Sequence, residues 1–217
     1  MTYSFVSVAL SVTLLNNVMN NVNGMKVAVY YEALCGDSVD FITHQLYPHF
    51  SELSDYIDLE LIPYGKAVHN YNNGSYEFSC QHGPSECKGN KLQSCILAHN
   101  DDQLKQVQFV NCIMRRRSRS SSSTVKGCAR QYHLDVENFD SCSKGSEGDR
   151  LLAGMGDKTL ALDPSISFVP TIIFDGKYNE DVQNDSLVDF VAVVCSKIGG
   201  TKPSICENRH LPRRLWN

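Results

Sequence analysis

The stretch Val27 to Phe41, VAVYYEALCGDSVDF, constrains the fold of this chain more than any other. Val27, Ala28, Val29, Tyr30 and Tyr31 have the β-branched and aromatic bias of a buried strand, whereas Phe41, Ile42 and Leu46 follow at helical spacing. Cys35-Gly36-Asp37-Ser38 lies between them, so one thiol is mounted where a strand turns into a helix. At the exposed tip of a helix, unpaired amides and the positive end of the dipole favour thiolate over thiol. That is the setting of a redox nucleophile, and Cys35 is the candidate. A second thiol three residues on would attack a mixed disulfide and release the product, but that position holds Ser38, whose hydroxyl cannot do this. Cys35 is therefore able to attack, exchange or be capped, and turnover needs an external thiol such as glutathione or cysteine. Asp37 works against the thiolate, because a carboxylate in the first turn competes for the same dipole.

At 217 residues and 42% hydrophobic content the chain can bury one core, which argues for one domain with an insertion. A formal net charge of −4 argues against nucleic acid as a partner. Phe5 to Leu15 is apolar and is followed by Asn-rich sequence and small residues before Met25. Residues 1–24 read as a signal peptide, although no Lys or Arg precedes the apolar run; the alternative is a buried N-terminal helix. No other run is long enough to cross a bilayer, so no transmembrane anchor is expected and the protein is placed outside the cell or in a lumen. Nine cysteines agree with an oxidising compartment. If Cys35 is the odd one, then Cys80, Cys87, Cys95, Cys112, Cys128, Cys142, Cys195 and Cys206 form four bridges whose connectivity stays open, apart from a local Cys195–Cys206 pair. Two sequons, at Asn73 and Asn184, suit a glycosylated protein.

Along the chain, the first helix is expected to end near Pro48, and Asp55 to Tyr64 alternates as a second strand. Strand, helix and strand imply a parallel pair, the opening of a thioredoxin-like α/β fold. Gly65 to Gln93 turns polar and cysteine-dense, which predicts an irregular segment held by disulfides, the start of an insertion running over about residues 65–165. Leu92 to Met114 recovers helical periodicity. Arg115 to Thr124, RRRSRSSSST, reads as a solvated loop rather than an RNA-binding segment, and its clustered arginines also suit proteolysis or the binding of acidic glycans. A helical hairpin is expected over Leu134 to Ala161, broken around Ser141 to Gly148. Phe168-Val169-Pro170-Thr171-Ile172-Ile173-Phe174-Asp175-Gly176 then reads as a loop, a strand and a hairpin. In a thioredoxin-like fold Pro170 is the cis proline beside the reactive cysteine, where it shapes the substrate groove. Leu187 to Ile198 is expected as a closing helix, with 207–217 as a basic tail that is mobile from Arg209 on.

The run Cys80-Gln81-His82-Gly83-Pro84-Ser85-Glu86-Cys87-Lys88-Gly89-Asn90 continuing to Cys95 matches every fixed position of CQHGxxECxxNxxxxC. That pattern resembles the signature of the gamma-interferon-inducible lysosomal thiol reductase family, GILT. The resemblance extends to YYEALCG, FVPTIIFDG and the flanking cysteines, and covers about Met25 to Cys206 in order. It implies a glycosylated thioredoxin-fold protein with a disulfide-rich, partly helical insertion, secreted or in the endosome-lysosome lumen, that reduces disulfides. The family's CxxC pair maps onto Cys35 and Ser38, so the resemblance carries over the first cysteine and not the resolving one.

Cys80, His82, Cys87 and Cys95 invite a zinc reading, but their spacing is looser than the paired short loops of structural zinc sites. An oxidising compartment consumes such cysteines as disulfides, and no metal or cofactor is expected. His82 is read as a packed or hydrogen-bonded residue without a catalytic role. Two functions follow. One is a weak or impaired single-thiol reductase acting on disulfide-containing proteins. The other is a non-catalytic secreted protein on the same scaffold that binds a secreted or cell-surface partner.

Overall fold

The computed structural model describes residues 24–209 and 211. The signal-peptide reading of 1–24 therefore falls almost wholly outside the described residues, as does most of the basic tail. Strand β1 (Met25–Tyr31) leads into a short helix α1 (Gly36–Asp40), which runs on as a π-helical stretch, Phe41–Leu46, and is followed by α2 (Phe50–Leu53). Strand β2 (Ile57–Pro63) then pairs parallel with β1, placing Val27 opposite Leu59 and Val29 opposite Leu61. Much later β5 (Thr171–Phe174) adds to the other edge of β1, antiparallel, with Val29 opposite Ile172. The order β2-β1-β5, with one parallel and one antiparallel neighbour around a strand that ends at the thiol, is a thioredoxin-like sheet.

Alternation along β1 divides the packing. Val27, Val29 and Tyr31 join Leu59, Leu61, Ile172 and Phe174 in the main core, while Tyr30 meets Ile62 and Ile173 on the opposite face beside Met155 and Leu162. Both faces are covered, as a parallel pair requires. The closing helix α8 (Glu180–Lys197) lays Phe190 edge-on against Phe41 at 5.5 Å. It is kinked at Asp189, whose carboxylate accepts the Ala192 N–H at 2.9 Å and so caps the second half. Gln45 ties the π-helical stretch to that kink, donating to the Val188 carbonyl at 3.0 Å and accepting from the Phe190 N–H at 3.3 Å.

Between β2 and β5 the structure departs from several expectations. Gly65 to Gln93 is not irregular. It forms a hairpin, β3 (Val68–Asn72) and β4 (Ser75–Ser79), and then most of a helix, α3 (Pro84–Ala98). The hairpin turn is Asn73-Gly74, both at positive φ (50° and 84°), the backbone that a right-twisted two-residue turn demands and that Asn-Gly supplies cheaply. Nor is this region held by disulfides in place of a core, since Leu92, Ile96 and Leu97 of α3 are buried in the main cluster. The periodicity of Leu92 to Met114 is two helices, because Asp102 starts α4 (Gln103–Met114) by accepting the Lys105 N–H at 3.0 Å. The basic run is only in part a loop: Ser121 caps α5 (Ser122–Gln131) by accepting the Thr124 N–H, so the serine half opens a helix. The next two helices, α6 (Phe139–Lys144) and α7 (Ser146–Leu160), meet at Gly145, within the expected break. After β5, Asp175-Gly176 turns the chain, but the returning strand is reduced to one bridge, Phe174 with Lys177. The closing helix also begins well before Leu187, where the Asn179 side chain accepts the Val182 N–H at 2.8 Å.

The eight bridged cysteines pair as Cys80–Cys87, Cys95–Cys142, Cys112–Cys128 and Cys195–Cys206. Cys80, Cys87 and Cys95 are thereby spent on bonds to sulfur, which removes them as zinc ligands. At the tail, Arg209 is not free: its guanidinium holds both carboxylate oxygens of Asp189, at 3.1 and 2.9 Å. Among the described residues no helix is long and apolar enough to cross a membrane.

Candidate functional site

Cys35 is the free cysteine among the described residues. It occupies the cap position of α1 with extended backbone (φ −66°, ψ 129°), and its carbonyl accepts the Val39 N–H at 3.1 Å. The expectation of an exposed thiol needs correction, because only 8% of Cys35 is accessible. The reason lies in the segment ahead of β5. Its Val169 carbonyl faces Sγ, and the thiol donates to it at 3.8 Å. The Val169–Pro170 bond that follows is cis, and Gln183 of α8 holds that segment, donating to the Pro170 carbonyl and accepting the Ile172 N–H, each at 2.8 Å. Beside the thiol-bearing turn runs a groove of about 420 Å³ walled by Asp37, Phe41, His44, Phe168 and Leu187. Phe168 stays substantially exposed.

Ser38 is fully buried. Its Oγ points back toward the strand and accepts the Glu32 N–H at 3.3 Å, so the residue in the resolving position anchors the turn that carries Cys35.

The largest surprise is what the cysteine-rich signature does. Helix α3 presents Glu86, Asn90 and Gln93, four and then three residues apart, so all three share one face. All are buried, and that face grips the three residues leaving β1. Gln93 Oε1 accepts from the Tyr31 hydroxyl at 2.7 Å, and burial pushes that phenol well above its usual range. Asn90 Oδ1 accepts the Ala33 N–H at 2.9 Å while its Nδ2 donates to the Tyr64 carbonyl at 3.4 Å. Gly89 lets the helix come this near, since a Cβ there would lie 2.9 Å from the Ala33 Cβ. Asn90→Ala strands a buried amide, and we expect it to cost about 1–3 kcal/mol in urea unfolding. It should also speed alkylation of Cys35 by loosening the turn; an unchanged alkylation rate would mean that Asn90 supports the helix and not the thiol.

Glu86 completes the latch through His82. The His82 backbone N–H donates to Glu86 Oε1 at 3.0 Å, and its Nδ1 lies 2.6 Å from Glu86 Oε2 and 3.3 Å from Glu32 Oε2. Burial pushes the Glu32 carboxyl above its ordinary range; the Lys66 N–H bond to Oε1, at 2.8 Å, pulls the other way, and the charge of Glu86 pushes up again. His82 is thus hydrogen-bonded and orders the start of the helix. The sequence-derived sugar sites stand away from this region. Asn73 is exposed at the tip of the β3–β4 hairpin, and Asn184 is exposed on α8, where the Ser186 hydroxyl is spent on the Val182 carbonyl.

The family model described as "Gamma interferon inducible lysosomal thiol reductase (GILT)" matches residues 26–132. The chain is 34% identical to GILT-like protein 1 of Drosophila melanogaster, over 85% of this chain and 78% of that protein. It is also 34% identical to the gamma-interferon-inducible lysosomal thiol reductase of Carassius auratus, over 86% and 73%. Among solved structures, a putative protein disulfide isomerase from Nitrosomonas europaea aligns with a TM-score of 0.46 and 12% identity, covering 72% of this chain and 87% of that one. With the strand-borne thiol, the cis-proline segment facing it and the signature helix latched behind it, this chain belongs to the gamma interferon inducible lysosomal thiol reductase family.

Proposed function

We propose that this chain is a single-thiol disulfide reductase of the secretory or lysosomal lumen, in which Cys35 is the nucleophile and a small external thiol completes each turnover. The observation that carries the reading is that one of nine cysteines is unbridged, and that it lies at the strand-to-helix junction facing the Val169–Pro170 segment. The Cys35 thiolate attacks one sulfur of a substrate disulfide; a bond forms from Sγ, the substrate S–S bond breaks, and the departing thiolate takes a proton. One glutathione thiolate then attacks Sγ and frees the second substrate thiol, leaving Cys35 capped. A second glutathione attacks the cap and regenerates Cys35. The balance is one substrate disulfide and two thiols giving two substrate thiols and one small disulfide.

Phe168 and Leu187 give the groove an apolar wall suited to an extended peptide, and the cis Val169–Pro170 bond fixes the segment that follows Phe168. With Ser38 committed to the Glu32 N–H, no internal group does the work of the external thiol. The reaction is therefore slow and rises with glutathione concentration. The test is reduction of a disulfide-bonded peptide across a glutathione series, with Cys35→Ala beside the parent chain. We expect turnover proportional to glutathione and reduced to background by Cys35→Ala; equal rates in the two proteins would remove Cys35 from the mechanism.

A further inference from the structure

Glu32, His82 and Glu86 form a three-residue cluster at the start of α3. Each carboxylate has one oxygen fixed by a backbone amide: Lys66 N–H on Glu32 Oε1 at 2.8 Å and His82 N–H on Glu86 Oε1 at 3.0 Å. The other oxygen of each turns toward His82 Nδ1, and the three donor atoms lie within 4.8 Å of one another. Both glutamate side chains are fully buried, while His82 is 38% exposed. Nδ1 carries at most one hydrogen, and Glu86 takes it, so Glu32 Oε2 is left buried with no hydrogen bond. An orphaned, buried carboxylate oxygen aimed at a second carboxylate and an imidazole is an arrangement suited to holding a cation.

We propose that Glu32 Oε2, His82 Nδ1 and Glu86 Oε2 form a binding site for a divalent metal ion of the zinc type, open on the His82 side to water as a fourth ligand. The donor set decides the class. One imidazole nitrogen and two carboxylate oxygens suit Zn²⁺, whose charge two carboxylates cancel, whereas Ca²⁺ asks for six or more oxygens. Spacing agrees: tetrahedral ligands at the usual zinc bond lengths lie about 3.3 Å apart. The Glu32–His82 pair is already at 3.3 Å, and the Glu86–His82 pair at 2.6 Å opens as the metal replaces the proton between them. The amide bonds to the outer oxygens supply the orienting shell that metal-bound carboxylates use. The donors come from the turn before the signature helix, from its first turn and from the turn before Cys35, but the site uses none of the signature's cysteines. Among the described residues the other cluster of this kind, His99, Cys142 and Glu147, is disqualified because the Cys142 sulfur is in a disulfide.

The proposal stands apart from the redox reading, and the test keeps the two separate by using the Cys35→Ser chain, which has no free thiol to bind metal. Metal-stripped, disulfide-intact protein is titrated with ZnCl₂ at neutral pH by calorimetry and equilibrium dialysis. We expect one zinc per chain. His82→Ala, a change at a partly exposed side chain, should weaken binding at least about tenfold, as should Glu32→Gln if it folds. Zinc should raise the melting temperature of the Cys35→Ser chain and leave that of its His82→Ala derivative unchanged. Binding well below one equivalent, or binding of the same strength after His82→Ala, overturns the site and assigns any zinc to other surface histidines.

Discussion

Restoring the second thiol by Ser38→Cys is expected to raise disulfide reductase turnover at least about tenfold and to end its dependence on glutathione for product release. The argument is one of position and of what Ser38 already does. Ser38 is three residues past Cys35, in the first turn of the helix that Cys35 caps, so a sulfur there is placed to attack the adduct internally. The step replaces a bimolecular collision with a neighbour held in place. The substitution has a cost. The Ser38 Oγ accepts the Glu32 N–H, sulfur is a poor acceptor, and the side chain is fully buried, so about 1 kcal/mol of stability should be lost. Trapping with a disulfide peptide and mass spectrometry separates the outcomes. The parent chain should accumulate the Cys35 mixed disulfide when glutathione is withheld, and Ser38→Cys should release it and form an internal bridge. Persistence of the adduct in Ser38→Cys would show that the turn no longer presents that position to the thiol.

The largest stability loss should come from removing Cys95–Cys142 by Cys95→Ala with Cys142→Ala. This bridge closes a separation of 47 residues, against 11 for Cys195–Cys206. Loop-closure entropy then predicts about 4 kcal/mol for the first and about 3 kcal/mol for the second. Both sulfurs of the longer bridge are buried between α3 and α6, and the cavity left behind adds to the entropy. The fit is close: a Cβ on Gly148 would lie 3.1 Å from the Cys95 sulfur. Against a total stability of about 5–15 kcal/mol, this is a large share. Urea unfolding of the two double variants measures it. A loss below about 1 kcal/mol for the longer bridge would mean that apolar packing alone holds the helical insertion to the sheet.

Much of the sheet was legible because its strands are apolar or alternate, and because Cys35-Gly36 breaks the pattern where strand becomes helix. The first half of the signature helix, before Leu92, was not legible from periodicity. The inner face of the helix carries Glu86, Asn90 and Gln93, and a search for apolar residues at helical spacing passes over a face whose partners are backbone amides and a phenol. Pro84 just ahead of Glu86 was an available start signal. The Asn73-Gly74 pair between Tyr71 and Tyr76 was likewise a hairpin signal, hidden because cysteine density suggested an irregular segment held by bridges. Apart from the local Cys195–Cys206 pair, which the sequence suggested and the structure contains, bridge partners were out of reach for a different reason. Cys95 meets Cys142 only after α3, α6 and α7 have packed, which is a tertiary event without a local trace.

Cys80–Cys87 is the bridge with both cysteines only half-buried, and it closes over the residues that carry His82 and Glu86. Any reductant strong enough to uncap Cys35 also meets this cross-link at the surface. Opening it would free the clasp around the signature turn and, through Glu32, unsettle the sulfur that the reductant was meant to recharge. On the proposed mechanism the molecule would work inside a window, with too few thiols leaving it stalled and too many undoing its own frame.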